Sequence, residues 1–278
     1  MQNPWNIELR GLRLGYGETV VLEDLNAVLP AGRISVILGG SGSGKSTLIR
    51  HLVGLARPLA GRILLGGQDI FSLPPKAFRR IRRRMGVLFQ DGALLGALSV
   101  EENVALPLSE HTRLSPADIH EIVLHKLSLV NLADFAGYYP SELSGGMRKR
   151  AGLARALVTD PPILLCDEPT SGLDPINAAQ MDALLLTMKR HFPDMTIIVV
   201  SHDMASVRTI ADHVLVLADK NVAYNGGLAE LLRTDDPYLR QFLDRKSRED
   251  RSAPALSALD PSIRERLAEA LDSWLESR

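Results

Sequence analysis

The alternation of apolar and polar residues predicts short strands in the N-terminal third of the chain. Residues 7–38 contain short apolar runs separated by glycine-rich turns, which predicts antiparallel strands leading into a glycine-rich loop. Residues 61–71 predict a further hairpin around the two glycines at 66–67. Residues 75–84 then predict a basic helix, and residues 86–90 a strand.

Helical periodicity dominates about residues 92–158, where Pro107, Pro116 and Pro140 are predicted to interrupt the helices. This stretch predicts a helical subdomain. Downstream of it, apolar strands alternate with helices. The strands are predicted at 163–167, 196–201 and 214–218, and the helices from 175 to about 191 and from 204. Such alternation predicts a mostly parallel sheet that helices cover on both faces.

The C-terminal residues have a different pattern, so we divide the chain into a domain at 1–243 and an extension at 244–278. Residues 244–253 are dense in charge and predict a linker. A helix is predicted from Asp260, with Asp260 as N-cap and Pro261 at the first helical position. Its apolar residues form one stripe: Ile263, Leu267, Ala270, Leu271, Trp274 and Leu275. A lone helix of this length is marginal in water, so we expect the stripe to pack against another surface. Its own domain is one candidate, and we predict that it contacts a second copy of the chain.

Composition narrows the classes of protein that the chain can represent. Of the 278 residues 45% are hydrophobic, which is enough for a sizeable core, and the formal net charge is −1. A net charge near zero does not favour a nucleic-acid partner. The arginine-rich helix predicted at 79–85 does not change this, because we interpret its arginines as a solvated helix face. The single cysteine, Cys166, fits a reducing compartment. The apolar runs are far shorter than the roughly 18 residues of a spanning helix, so we expect a soluble protein that reaches a membrane only through a partner.

The glycine-rich loop at residues 37–47, ILGGSGSGKST, carries the strongest chemical signal. Gly39, Gly44, Lys45 and Ser46 match the phosphate-binding pattern G-x-x-x-x-G-K-[ST] between a predicted strand and a predicted helix. We therefore predict an α/β fold with a P-loop NTPase core that binds a nucleoside triphosphate. Lys45 is expected to reach the β- and γ-phosphates, and the Ser46 hydroxyl to bind Mg²⁺. The predicted nucleotide-binding residues of the loop are Gly39, Gly40, Ser41, Gly42, Ser43, Gly44, Lys45, Ser46 and Thr47.

Two adjacent carboxylates end the apolar strand predicted at 163–167. Asp167 at the strand tip is expected to hold the Mg²⁺ that bridges the β- and γ-phosphate oxygens. Glu168 follows directly and is placed to polarise an attacking water as general base. This pair predicts hydrolysis of the nucleotide.

The segment LSGGM at 143–147, about twenty residues before the acidic strand, resembles the signature motif of ATP-binding-cassette (ABC) ATPases. Four further residues resemble that family's motifs in its order. By this resemblance Tyr16 stacks on adenine, and Gln90 lies near Mg²⁺ and the attacking water. Asp174 belongs to the D-loop, and His202 contacts the γ-phosphate. The resemblance implies a RecA-like core with an antiparallel β subdomain and a helical signature subdomain.

The resemblance also implies how ATP is enclosed. Two copies of the chain pair head to tail, and each ATP lies between one copy's phosphate loop and the other's Ser144, Gly145 and Gly146. These residues begin a helix, whose N-terminus suits an anion. The cofactors implied are ATP and Mg²⁺.

Residues 88–112 and 139–157 resemble, more narrowly, the ATPases of Mce/Mla-type phospholipid transporters. This implies integral membrane permease subunits and an Mce-domain substrate-binding protein as partners, and leaves a small STAS-type regulatory subunit open. It also implies a cytoplasmic position on the inner face of the bacterial inner membrane. An amino-acid-type importer ATPase is the alternative within transporters. A soluble cassette ATPase acting on DNA or ribosomes, and a P-loop kinase or GTPase, are the alternatives outside them.

Overall fold

The computed structural model describes residues 5–243 together with 260, 262, 263, 265, 266, 269 and 270. Contacts divide the chain into two units, Met1–Arg233 and Thr234–Arg278. Each unit is treated by itself below.

The strands of the first unit form two sheets. They are β1 (Ile7–Tyr16), β2 (Thr19–Leu29), β3 (Ile34–Gly39), β4 (Ala60–Leu65), β5 (Gln68–Asp69), β6 (Met85–Leu88), β7 (Ile163–Asp167), β8 (Thr196–Ser201), β9 (His213–Ala218) and β10 (Asn221–Gly227). An antiparallel sheet has the strand order β2-β1-β4-β5, and a six-stranded sheet has the order β10-β9-β3-β8-β7-β6. The hairpin predicted at 61–71 is confirmed as β4 and β5.

The six-stranded sheet is parallel except for β10 at its edge. Every residue of β3 and of β8 is buried, as expected for central strands covered on both faces. The strand before the glycine-rich loop thus belongs to the parallel sheet, whereas β1 and β2 are antiparallel as predicted. Because β3, β8 and β7 are parallel neighbours, their carboxyl ends lie at one edge of the sheet. This edge positions the candidate site.

The helices that cover the sheets follow the predicted segments closely. They are α1 (Lys45–Leu52), α2 (Pro75–Arg82), α3 (Val100–His111), α4 (Pro116–Leu129), α5 (Gly145–Leu157), α6 (Pro175–His191), α7 (Met204–Ile210) and α8 (Leu228–Leu231). The segment predicted to be a helical subdomain, 92–158, contains α3, α4 and α5, which pack on one another. None of the helices within the described residues is long and apolar enough to cross a membrane.

One predicted interruption in this subdomain is wrong. Pro107 lies inside α3, whereas Pro116 and Pro140 begin a helix and a short 3₁₀ turn as predicted. The start of α3 is set by a capping box, in which Ser99 and Glu102 bond each other's backbone N–H. Pro107 removes one backbone donor, and the packing of α3 on α4 and α5 keeps the helix continuous to His111.

The second unit contains a helix α9 (Pro237–Leu243) and the predicted helix start at Asp260. The Asp260 side chain accepts the N–H of Ser262 at 2.8 Å, and its carbonyl accepts the N–H of Ile263 at 2.9 Å. The predicted N-cap is therefore confirmed. The linker predicted at 244–253 lies outside the described residues. So do four residues of the apolar stripe, which are Leu267, Leu271, Trp274 and Leu275. The domain boundary at 243/244 and the contact with a second copy stay predictions.

Candidate nucleotide-binding site

The phosphate loop ends in a helix N-terminus that no side chain of the described residues caps. Gly44 precedes α1 with a φ of 94°, a left-handed conformation that favours glycine, and no acidic residue lies in the first turn of α1. A Cβ on Gly44 would lie 2.7 Å from the Leu22 side chain. The Ser43 Oγ is buried without a hydrogen-bond partner among the described residues. An N-terminus with unbonded N–H groups is a site for an anion.

Lys45 lies buried at the centre of this loop. Its Nζ donates to the carbonyl oxygens of Gly39 and Gly40, each at 2.9 Å. Burial lowers the pKa of Lys45, while the nearby charges of Glu168 and Asp167 oppose that shift. The loop therefore holds a cation beside two carboxylates, where phosphate oxygens can take the place of the carbonyls.

Ser46 and Asp167 meet at the end of β7. The Ser46 hydroxyl donates to Asp167 Oδ1 at 3.3 Å. Burial, aided by the charge of Glu168, raises the pKa of Asp167, and the bond from Ser46 opposes this. A hydroxyl and a carboxylate oxygen are hard ligands of the kind that Mg²⁺ prefers, and a site with few protein ligands suits a Mg²⁺ that also binds phosphate. The residues present thus fit the predicted metal.

Glu168 and His202 contact each other next to the loop. His202 Nδ1 lies 2.7 Å from Glu168 Oε2, and the Glu168 side chain is 12% exposed while that of His202 is 62% exposed. The Glu168 backbone is left-handed, with a φ of 53°, and its N–H donates to the carbonyl of Val200 at 3.0 Å. The backbone of β8 therefore holds the start of the turn that carries Glu168.

These groups surround one cavity of about 490 Å³. Its lining residues are Val21, Ser41, Gly42, Ser43, Gly44, Lys45, Ser46, Thr47, Gln90, Glu168, Ser171 and His202. The structure thus brings together the predicted phosphate-loop residues, Gln90, Glu168 and His202 from four separate segments of the chain. Asp167 joins them through Ser46, and Gly39 and Gly40 join them through Lys45.

Tyr16, predicted to stack on adenine, lies beside the loop. It is 45% exposed, and its hydroxyl lies 3.4 Å from an Arg50 guanidinium nitrogen. This hydrogen bond lowers the pKa of Tyr16. Tyr16 does not line the cavity, so its adenine contact stays a prediction.

The other predicted nucleotide-binding residues cap two helices elsewhere. The Ser144 Oγ accepts the N–H of Met147 at 3.3 Å at the start of α5. Asp174 accepts the N–H groups of Ile176 and Asn177 at the start of α6, both at 3.0 Å. A single chain does not bring Ser144, Asp174 or the signature glycines Gly145 and Gly146 to the cavity lining. This arrangement is compatible with the prediction that they act in the site of a second copy.

Lys149 was not among the residues predicted from sequence, yet it contacts the turn that carries Glu168. Its Nζ donates to the carbonyl oxygens of Glu168 and Ser171. The signal in the sequence is its spacing: Lys149, Gly152, Leu153 and Ala156 fall on the buried face of α5. A lysine on an otherwise apolar face indicates a buried partner.

The fold and the cavity define a P-loop nucleotide-binding cassette. The ABC transporter family model matches residues 22–171, so the chain belongs to the ABC transporter family. The chain is 45% identical over 239 residues to "Probable ribonucleotide transport ATP-binding protein mkl" of Mycobacterium tuberculosis, which covers 86% of this chain and 66% of the relative. It thus spans slightly less than two thirds of the length of those mycobacterial proteins.

The chain is also similar to phospholipid-transport proteins and to solved cassettes. It is 40% identical over 238 residues to "Intermembrane phospholipid transport system ATP-binding protein MlaF" of Escherichia coli, covering 86% of this chain and 88% of that protein. A dimeric ATP-binding cassette in a post-hydrolysis state with ADP and Pi matches with a TM-score of 0.73 and 31% identity, over 80% of this chain and 98% of that chain. These likenesses confirm the predicted fold and the resemblance to phospholipid-transport ATPases.

Proposed function

We propose that this chain is the ATP-hydrolysing subunit of an ABC transport complex that moves phospholipids between membranes through a separate Mce/Mla-type permease. One observation supports the hydrolytic part above all. The uncapped helix end at Lys45, the Ser46–Asp167 contact and the Glu168–His202 pair face one cavity. The names of the MlaF relatives support phospholipid as the cargo.

The residues have separate roles in this proposal. Lys45 and the N–H groups at the start of α1 bind the β- and γ-phosphates of ATP. Ser46, Asp167 and Gln90 hold Mg²⁺, which when bound neutralises charge on the phosphate oxygens. Glu168 orients the attacking water and accepts its proton. His202, whose Nδ1 contacts Glu168 Oε2, lines the same cavity and contacts the γ-phosphate.

A second copy of the chain completes each site. Its Ser144, Gly145 and Gly146 bring the N-terminus of α5 to the phosphates, and its Asp174 lies next to that helix end. A Cβ on Gly146 would lie 3.5 Å from Asn177, in the first turn of α6, which shows how close the two helix ends are. The dimeric state of the solved cassette supports this arrangement.

The remaining partners follow from the Mce/Mla-type assignment. They are integral membrane permease subunits and an Mce-domain substrate-binding protein, with a small STAS-type regulatory subunit as a further candidate, and no nucleic acid. The chain would then lie in the cytoplasm, on the inner face of the bacterial inner membrane.

The chemical assignment is tested by Glu168→Gln in the purified transport complex. The substitution keeps the shape of the side chain and removes the base, so we expect kcat for ATP hydrolysis to fall by about 10²–10⁴-fold with ATP binding retained. Glu101→Gln is the matched control, since Glu101 also pairs with a histidine, His120 at 2.5 Å, away from the cavity. Hydrolysis by the Glu168 variant at the rate of this control would refute the assignment.

The cargo is tested by purifying the native complex and identifying its subunits and bound molecules. Co-purified phospholipid with an Mce-domain subunit supports the proposal. The mycobacterial relatives carry ribonucleotide transport in their name, so retention of a ribonucleotide instead would favour that cargo. A periplasmic solute-binding protein in place of the Mce-domain subunit would favour an amino-acid-type importer.

A further inference from the structure

Lys149 is a buried cation in the signature helix α5, outside the cavity. Only 5% of its surface is exposed. Its Nζ lies 3.0 Å from the carbonyl oxygen of Glu168 and 2.5 Å from that of Ser171. Burial lowers the pKa of Lys149, while the charges of Asp91 and Glu168 oppose that shift. The ammonium therefore contacts the backbone of the turn that carries Glu168 rather than a carboxylate.

This turn needs external support. Glu168 has a φ of 53°, a left-handed conformation that costs about 1–3 kcal/mol for a residue other than glycine and persists only where neighbours hold it. Within the turn the Ser171 N–H donates to the Glu168 carbonyl at 3.2 Å. That carbonyl thus accepts from Ser171 and from Lys149, and the Ser171 carbonyl also accepts from Lys149. The Lys149 ammonium therefore donates to the first and the last residue of the Glu168–Ser171 turn.

The helix that supplies the ammonium also contacts the segment after Gln90 closely. The Arg155 guanidinium donates to the carbonyls of Gly92 and Ala93, each at 2.8 Å. A Cβ on Gly152 would lie 2.9 Å from the Gly92 backbone, so α5 and this segment are in close contact. α5 is therefore bonded to two of the segments that border the cavity.

We propose that Lys149 is a positioning residue for hydrolysis: it fixes the Glu168–Ser171 turn to α5 and so sets the direction of the Glu168 carboxylate. The inference rests on the proposed role of Glu168 as general base. Without the ammonium, two carbonyls lose a charged donor, and the left-handed backbone at Glu168 relaxes toward more favourable angles. The loop at 39–47, to which the proposed function assigns phosphate binding, is a separate segment from this turn.

The test is Lys149→Met in the purified complex, with Lys126→Met as control. Met has a similar length but no donor. Lys126, on α4 of the helical subdomain, is also a buried lysine, 6% exposed, but its ammonium pairs with the carboxylate of Asp160. We expect Lys149→Met to lower kcat by about 10- to 100-fold, because a small displacement of a reacting group has that effect, with KM and ATP affinity within about 2-fold. Lys149→Arg, which keeps charge and donors, should recover most of kcat, and Lys126→Met should leave kcat unchanged.

A double variant separates this inference from the proposed function. If Lys149 acts through Glu168, adding Lys149→Met to Glu168→Gln lowers kcat no further. A full additional loss, or a kcat of Lys149→Met equal to wild type, would overturn the inference. A normal kcat for Glu168→Gln would instead refute the proposed function. Should Lys149→Met not fold, Lys149→Gln is measured instead. Its side chain is too short to reach both carbonyls, so kcat should fall below wild type at constant KM. An unchanged kcat for this variant would also overturn the inference.

Discussion

Two helices of this protein have glycines at their start, but their N-termini differ. α1 starts after Gly44 with no side-chain cap and no acidic residue in its first turn. α5 starts after Ser144, whose hydroxyl accepts the N–H of Met147. Both ends carry the partial positive charge of a helix N-terminus. Lys45, Asp167 and Glu168 lie beside the first end. Beside the second end lies Arg148, whose guanidinium donates to the carbonyl oxygen of Leu143.

The difference indicates how each end is used. At α1 no side chain caps the backbone N–H groups, so they can bind an external anion. The left-handed Gly44, which has no side chain, leaves room for that anion. At α5 the chain satisfies its own donor, so the helix is stable before any ligand arrives. Because the N-terminus of α5 is capped within the single chain, it suits a surface that docks onto another copy.

The charges beside the two ends also differ. Burial works against the ionised forms of Lys45 and Asp167, as their shifted pKa values show. In the first turn of α5 the charged residue is the half-buried Arg148, and the buried Lys149 after it contacts carbonyl oxygens rather than a carboxylate. The open end therefore has an electrostatic cost in the free chain. A nucleotide bound with Mg²⁺ would relieve it, because the phosphates would pair with Lys45 and the cation with Asp167.

The largest effect should come from the paired substitutions Gly44→Ala and Gly145→Ala. Gly44→Ala forces a side chain into a left-handed position 2.7 Å from Leu22, so we expect a loss of about 1–3 kcal/mol in unfolding free energy and of ATP binding. At Gly145 the nearest atom to a Cβ is Arg148 Nη2 at 3.9 Å, so stability should stay unchanged. Chemical denaturation and nucleotide titration measure both. Equal losses of unfolding free energy in the two variants would show that the N-termini of α1 and α5 do not differ in their need for glycine.

A smaller effect is expected for Ser144→Ala, which removes the cap of α5. The unfolding free energy should fall by about 1 kcal/mol, a decrease in Tm of roughly 2–4 °C. Ser99→Ala is the control, since Ser99 caps α3 in the same way away from the cavity. Both variants should lose similar stability, but only Ser144→Ala should lower ATP hydrolysis by the assembled complex. Equal hydrolysis in the two variants would argue against a docking role for this end.

The smallest effect on stability is a gain. The folded-state pKa of Asp167 is raised by burial, so its ionisation disfavours the fold as pH rises through that pKa. Asp167→Asn should therefore raise Tm at pH 7, with the difference narrowing as pH falls toward about 3.9, the value for an unfolded aspartate. Asp182→Asn is the control, because burial also raises the pKa of Asp182, which is bonded to Ser206 outside the cavity. Both should gain stability, and only Asp167→Asn should lose hydrolysis; a lower Tm for Asp167→Asn at pH 7 would contradict the electrostatic cost.

The phosphate loop and most elements could be predicted from the sequence because their determinants are local. The loop is one run of residues at 37–47 whose backbone forms the binding groups. The helix starts at Ser144, Asp174 and Asp260 are set by caps within three residues. The apolar runs of β7 and β8 fill central strands that are buried on both faces.

The tertiary structure decided the contacts between distant segments. Only the strand order, with β8 between β3 and β7, places His202 next to Glu168 at the sheet edge that carries the phosphate loop. The continuity of α3 through Pro107 depends on packing against α4 and α5, which a local helix breaker does not reveal. The role of Lys149 is hidden for the same reason, because its partners are carbonyl oxygens 19 and 22 residues away, and every residue type presents a carbonyl.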